Sequence, residues 1–400
     1  MHFVRRGMKV GFLFNHDAGH QAFHLLPIIN AFAALRPDDD IRAYVGGDAM
    51  LEAVNAGLTP GRGRVELVGL PLPPLLGALT RCLDTAGPAS RLARLRLNID
   101  RFRDLDALVA PERTCLLLKD FVGPSLKFIH CRHGAGDREK GFHPELRDFD
   151  LLLLPGPKFV RRLEKVGALR TNDYAFIGYP KFDAVALKSP PNRFFANSNP
   201  TVIYNPHFSP DLSSWFPMGE AVLDWFASNP DLNLIFAPHV MLFERRWHIE
   251  VSAMKAALRK RLPARFRDKP NILIDVNSTR LFDMSYTLSA DLYLGDVSSQ
   301  VMEYIARPRP CVFLNPNGLD WAGDEAFAAW KLDRVVENVS EMGEAIRWSL
   351  QNRSDFALQQ KAHFADTFDL TDEPSASRAA RAIVDFVEQG RSFRLKNAAQ

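Results

Sequence analysis

Ala290-Asp291-Leu292-Tyr293-Leu294-Gly295-Asp296-Val297-Ser298-Ser299-Gln300-Val301-Met302-Glu303-Tyr304 reads as a short buried strand that runs through an aspartate and two adjacent hydroxyls into a helix. One such strand–helix step is a unit of a parallel sheet, and the alternation continues outward from it in both directions. Toward the N-terminus of this half, strands are predicted at Thr201–Tyr204, Asn233–Ala237 and Ile272–Ile274, and beyond the quoted stretch at Cys311–Leu314. Helical patterns at Gly219–Ser228 and Trp247–Arg261 lie between them. The first half repeats the scheme with Lys9–Phe14, Ile41–Val45, Cys115–Lys119, Lys127–Ile129, Leu151–Leu154 and Ala175–Ile177, and with a helix over His20–Leu35.

Between the halves, Ser189 to Pro200 is dense in turn formers and has no apolar period, so it reads as a linker. The expected organisation is α/β: two Rossmann-like, doubly wound parallel-sheet domains at 1–188 and 200–372, with an interdomain cleft. A final helix, Ala376–Gln389 within 373–400, is expected to return across the first domain. Ligands of open parallel sheets bind beyond the carboxyl ends of the strands, so residues that follow strands are the ones to search.

The 400 residues carry 46% hydrophobic content, enough for two cores, and 50 Lys+Arg against 47 Asp+Glu, too even for general nucleic-acid binding. The four cysteines are scattered without metal-site spacing, which fits a reducing compartment. After Arg5, Arg6 and Lys9, the run Val10–Phe14 is ended by Asn15-His16-Asp17 too soon for a signal-peptide core or a membrane span. A cytoplasmic chain is expected.

Three strand ends carry candidate chemistry beside the Asp296-Ser298-Ser299 turn, where backbone N–H groups and hydroxyls suit a diphosphate. Ile129-His130-Cys131-Arg132-His133-Gly134-Ala135-Gly136-Asp137-Arg138-Glu139-Lys140 ends a strand in His-Gly and a basic loop. Ile235-Phe236-Ala237-Pro238-His239 ends another in histidine, a group able to move a proton near neutral pH. Ile177-Gly178-Tyr179-Pro180-Lys181-Phe182-Asp183 forms a turn before the linker. The plain alternatives are helix capping for Asp296 or Ser298, solvated surface histidines, and a hinge for Gly178–Asp183.

In this order the features resemble the family of CDP-glycerol glycerophosphotransferases, the teichoic-acid polymerase type with a GT-B fold, over about His130 to Pro316. The match is carried by His133-Gly134, Asp150–Pro155, Gly178–Asp183, Pro238-His239 and Asp296–Tyr304 followed by Arg309-Pro310-Cys311-Val312-Phe313. The resemblance implies metal-independent attack by an acceptor hydroxyl on the phosphate of CDP-glycerol next to glycerol, with CMP leaving and no cofactor. It makes His133 the candidate base and His239 a phosphate ligand, places Ser298, Ser299 and Asp296 at the pyrophosphate, and lets Glu303 reach a ribose or orient the loop. The chain departs from the pattern at Arg138 and Lys140, where a lysine follows the His-Gly histidine by five residues in the family. It departs again at Tyr204-Asn205-Pro206-His207, which adds a third histidine, His207, beside Lys181 as a cleft candidate.

His16, His20 and His24 have helical spacing but no completing carboxylate or cysteine, so His16 and His20 are assigned to the acceptor side and no metal is expected. Arg91, Arg94 and Arg96, interleaved with leucines, read either as contact with an anionic membrane or as a buried helix with snorkelling arginines. The first is preferred because the acceptors implied are lipid-linked, placing the protein at the inner face of the membrane. Two other functions fit the fold: a nucleotide-sugar glycosyltransferase or UDP-N-acetylglucosamine 2-epimerase-like enzyme, and a catalytically silent binding module.

Overall fold

The computed structural model describes residues 7–16, 19–59, 64–84, 87–169, 173–185, 187, 192–250 and 252–389. Of these, the residues within 1–134, 142–186 and 365–400 form one compact unit, and those within 135–141 and 187–364 form a second. The basic loop after His133-Gly134 therefore belongs to the second unit, although the strand before it lies in the first. Of the linker stretch Ser189–Pro200, residues 189–191 lie outside the described residues.

The first unit is built on strands β1 (Lys9–Phe14), β2 (Asp40–Val45), β3 (Val65–Gly69), β4 (Ala107–Ala110), β5 (Lys127–Cys131), β6 (Leu151–Leu154) and β7 (Asp173–Phe176). They form a seven-stranded sheet in the order β3-β2-β1-β4-β5-β6-β7, and every pairing is parallel. The central strands are apolar on successive residues because both faces of the sheet are covered. On one face, Ile28, Ile29 and Phe32 of the helix Leu26–Leu35 pack with Val10, Phe12 and Val109 and with Ala379, Ala380 and Ile383 of the helix Ser375–Gln389.

Two readings of this half change. The helix expected from His20 begins in earnest only at Leu26, after a separate 3-10 turn at Gly19–His24. Pro27 sits in its first turn, where a missing N–H and a fixed φ are tolerated, and cannot sit deeper in a longer helix. Cys115–Lys119 is not a strand but part of a 3-10 helix, Arg113–Asp120, that buries Cys115 and Leu118 three residues apart. The strand that fills the sheet there is β4, only four residues long.

In the second unit, β8 (Thr201–Asn205), β9 (Asn233–Phe236), β10 (Trp247–Glu250), β11 (Lys255–Leu258), β12 (Ile272–Ile274), β13 (Leu292–Gly295), β14 (Cys311–Leu314) and β15 (Arg334–Val336) follow in chain order. Six of them form a parallel sheet, β12-β9-β8-β13-β14-β15. Its core holds Tyr204, Trp215, Phe226, Phe236, Leu294 and Leu314. The helix expected over Trp247–Arg261 is instead the antiparallel hairpin β10–β11. Trp247 and Ile249 alternate with the buried His248, a period of two that the basic residues downstream obscure.

The turn Gly178–Asp183 docks the last helix. Asp183 accepts Ser375 N–H at 3.0 Å and Ala376 N–H at 2.7 Å, so it caps the first turn from a distance in sequence. Ser375 Oγ accepts Tyr179 N–H at 3.0 Å. Gly178 has φ +74°, and a Cβ there would lie 2.6 Å from Ser375 Oγ. Asp183→Ala is expected to lower stability by about 1–2 kcal/mol, the usual cost of a lost cap. Denaturant unfolding reads this, and an unchanged midpoint would remove the capping role.

Candidate functional site

In the second unit the strand order reverses between β8 and β13, and the candidate residues gather at the carboxyl ends of these strands and of β9. Pro206-His207 follows β8, Pro238-His239 follows β9 and Asp296 follows β13. Asn205, buried at the end of β8, ties the three together: its amide donates to Ala237 O at 2.7 Å, and its carbonyl accepts from Tyr293 OH at 3.1 Å. The ring centroids of His207 and His239 are 5.5 Å apart, with Phe208 at 4.4 Å from the first and 4.7 Å from the second.

The hydrogen bonds of these rings bear on where their protons sit. His239 Nδ1 accepts Met241 N–H at 3.3 Å, so in the neutral ring Nε2 carries the proton and is a donor. His207 Nδ1 likewise accepts Ser209 N–H at 3.0 Å. Arg138 approaches His207 Nε2 to 3.1 Å. A neutral imidazole accepts at one nitrogen only, so Ser209 N–H and Arg138 compete for it, and with the proton on Nε2 the ring and Arg138 are two donors facing each other. Such a pair is well suited to share an anion. Burial lowers the guanidinium pKa of Arg138, opposed by Asp211 and Glu250, which sharpens its need for a negative partner.

Arg138 comes from the loop 135–141, and the same loop brings Gly136 against the serine turn. A Cβ at Gly136 would meet Ser299 Cβ at 3.4 Å, an ordinary van der Waals contact, so the loop passes directly beside the serine turn. Ser298 Oγ accepts Gln300 N–H at 3.2 Å. The helix that follows is one short turn and a fraction, Gln300–Tyr304, so its dipole is small and local N–H and hydroxyl groups must do most of any anion binding. Arg309 holds this helix in place, donating to Tyr304 O and Thr287 O at 2.8 Å each and to Leu288 O at 3.1 Å.

Asp296 faces inward. It is 0% exposed, and its Oδ2 accepts the backbone N–H groups of His207 and Ser214 at 2.8 Å each. Burial pushes its carboxyl pKa up to about 7, opposed by the Ser214 hydroxyl and by the Ser214 and His207 N–H groups. It braces the His207 turn instead of presenting an oxygen to a ligand. Glu303 is buried as well.

In the first unit the order reverses between β1 and β4. Asn15-His16 follows β1, Pro111-Glu112 follows β4, and Arg132-His133-Gly134 follows β5. His133 Nδ1 donates to Pro111 O at 2.8 Å, which leaves its Nε2 lone pair as the acceptor, the tautomer a general base needs. His133 is exposed, and desolvation lowers its pKa, aided by Arg132 and Arg91 and opposed by the Pro111 bond. Gly134 has φ +74°, the left-handed turn by which the chain leaves the strand. His16 and His24 lie with ring centroids 5.6 and 6.2 Å from that of His133.

Arg91 is part of this cluster. It pairs with the buried Glu112 and approaches His16 Nδ1 to 3.4 Å, while His16 Nε2 lies 3.7 Å from Glu112. Arg94 is only half-buried, and a Cβ at Gly46 would lie 3.1 Å from its NH1. Of the three arginines read as membrane-facing only Arg96 is exposed, and it lies 4.0 Å from the Phe121 ring centroid. Lys181 is buried in the Gly178–Asp183 turn. The side chains of His20 and Lys140 lie outside the described residues. Among the described residues no group of three or more His, Cys, Asp and Glu is disposed around a metal ion. Asn205 and Glu112 are the members that the sequence did not reveal, and Arg91 was assigned to lipid instead, because each acts through strand ends distant in sequence.

Comparison with solved structures finds the same architecture in several enzymes. The wall teichoic acid polymerase TagF, in a variant soaked with CDPG, matches with TM-score 0.58 and 14% identity over 96% of this chain and 88% of that one. The fold is that of the GT-B enzymes. MnaA of S. aureus, in complex with UDP, matches with TM-score 0.58 and 12% identity over 95% and 96% of the two chains. A UDP-N-acetylglucosamine 2-epimerase matches with TM-score 0.56 and 12% identity over 98% and 100%. No family model matches the sequence, and no curated protein matches it either.

Proposed function

We propose that this GT-B protein is a transferase that takes a glycerol-phosphate-type group from a CDP-activated donor to a hydroxyl of a lipid-linked or cell-envelope acceptor. The observation that carries the reading is the pair of opposed donors, Arg138 and His207, beside His239 Nε2–H and the Ser298-Ser299 turn. These are positive or proton-donating groups on one set of strand ends, the chemistry a pyrophosphate requires. In this reading they hold the donor, His133 Nε2 takes the proton of the attacking hydroxyl, and the oxygen of that hydroxyl displaces CMP from the phosphorus. His16 and His24 line the acceptor side. Work on a lipid-linked acceptor puts the protein at the inner face of the cell membrane. With Arg91 engaged by Glu112, that lipid contact is not assigned to its helix.

A UDP-sugar is the second reading, supported by the equal likeness to MnaA with UDP. Thermal denaturation separates the two. A donor at a hundredfold its Kd stabilises the folded protein by about 2.7 kcal/mol. CDP-glycerol is expected to raise the melting temperature most, CMP less for want of the second phosphate, and UDP-N-acetylglucosamine little. A larger shift with the UDP-sugar would promote the second reading.

A further inference from the structure

The hairpin β10–β11 carries an apolar face that the unit leaves uncovered. Register pairs Trp247 with Leu258 and Ile249 with Ala256, so these four side chains share one face. Trp247 is 63% exposed, Ile249 55%, and Met254 near the turn 93%. The opposite face is anchored. His248 is buried, with Nε2 3.1 Å from Leu242 O and 3.2 Å from Arg245 O and its ring against Phe216.

Around this face the charge is one-sided. Between residues 244 and 261 stand Arg245, Arg246, Lys255, Arg259, Lys260 and Arg261, six cations against Glu244 and Glu250. Beside the hairpin lies a cavity of about 660 Å³ lined by Arg259, Arg261 and Arg267 together with Phe243, Leu262 and Ile272. Arg259 is held over Phe243, 4.5 Å from the ring centroid. Its pKa is lowered by burial and by Arg246, so the pocket concentrates positive charge without an acidic partner in its lining.

We propose that the hairpin Trp247–Leu258 docks on an anionic lipid surface, with Trp247, Ile249, Leu258 and Met254 entering the interface and the arginine-lined pocket receiving a lipid phosphate. An indole with aliphatic neighbours partitions to the headgroup level, and a cationic rim draws such a face to anionic lipid. Each basic residue near the surface contributes about fivefold in partition, and screening removes that contribution as salt rises. Six cations against Glu244 and Glu250 over residues 244–261 leave the rim cationic, which argues for lipid and against an apolar protein partner. The proposal is independent of which nucleotide the donor carries.

The test is co-sedimentation of the full chain with vesicles of phosphatidylcholine alone and of phosphatidylcholine mixed with phosphatidylglycerol. Binding is expected only to the anionic vesicles and is expected to fall with salt. Trp247→Ser with Ile249→Ser, both on the exposed face, should weaken it at least about tenfold, and Arg245→Gln with Arg246→Gln and Arg261→Gln by more. Leu75→Ser with Leu79→Ser, both exposed on the helix Pro74–Leu83, should leave it unchanged. Wild-type sedimentation by the hairpin variant, or loss of binding in the Leu75/Leu79 variant alone, overturns the proposal. So does a wild-type dimer that the hairpin variant dissociates, since the face is then covered by a second copy. The donor-induced thermal shift of the hairpin variant should match wild type, which keeps a failure here distinct from a failure of the transferase reading.

Discussion

His133→Ala and His239→Ala should each lower CMP release from CDP-glycerol by about 10²–10⁴-fold while leaving the melting temperature near that of wild type, the range a single general acid–base group contributes. The two losses are expected to differ in kind. His133 presents a lone pair at Nε2, because Nδ1 donates to Pro111 O, so its removal should act on kcat. His239 presents a proton at Nε2, because Nδ1 accepts Met241 N–H, so its removal should also weaken donor binding and reduce the thermal shift. The pH profile adds a second check. Desolvation lowers the His133 pKa from 6.5, and a base works only when deprotonated, so the acid limb of kcat/KM should lie below 6.5 and the rate should be level above it. Turnover within about threefold of wild type for either variant would remove that histidine from the reaction.

Asp296 gives the largest expected effect on stability, and its sign is unusual for an aspartate. Its pKa rises from 3.8 to about 7 on folding because the carboxyl is fully buried. The unfolded chain therefore releases this proton above pH 3.8 while the folded chain keeps it. Stability falls as pH rises between those values and is level beyond about 7. At 1.36 kcal/mol per pH unit the penalty is on the order of 4 kcal/mol at neutral pH and above. Oδ1 has no hydrogen-bond partner among the described residues, so the bonds from Ser214 and His207 offset burial only in part. Asp296→Asn keeps an acceptor for His207 N–H and Ser214 N–H but cannot ionise. It should match wild type near pH 4 and exceed it above pH 7 by roughly that amount. Asp296→Ala should be less stable at every pH, since it leaves two buried N–H groups without an acceptor at about 1–3 kcal/mol each. Urea unfolding of the three proteins across this range is the measurement. An Asn variant less stable than wild type at pH 8 would show that the carboxylate is needed charged.

The alternation of apolar runs determined the class of this protein without help from coordinates. Lys9–Phe14, Leu151–Leu154, Leu292–Leu294 and Cys311–Leu314 are recognisable because strands buried on both faces must be apolar at consecutive positions. Candidate positions followed from the same pattern: His133, His239 and Asp296 stand in the loops that follow such strands. What the sequence could not decide were features whose partners lie far along the chain. Val65–Gly69 and Ala107–Ala110 become strands only because neighbours pair with them, and Trp247–Arg261 reads as helix until the register of its two halves is known. Asp296 looks like a site residue, but two N–H groups from another loop turn it inward. Arg91 looks like a lipid contact, yet Glu112, at the end of a different strand, holds it in the His16 cluster. Composition and period report which residues must leave water. Which polar atom meets which, and so which histidine donates and which accepts, is fixed by hydrogen bonds between strand ends that only the folded chain brings within 3 Å or so of each other.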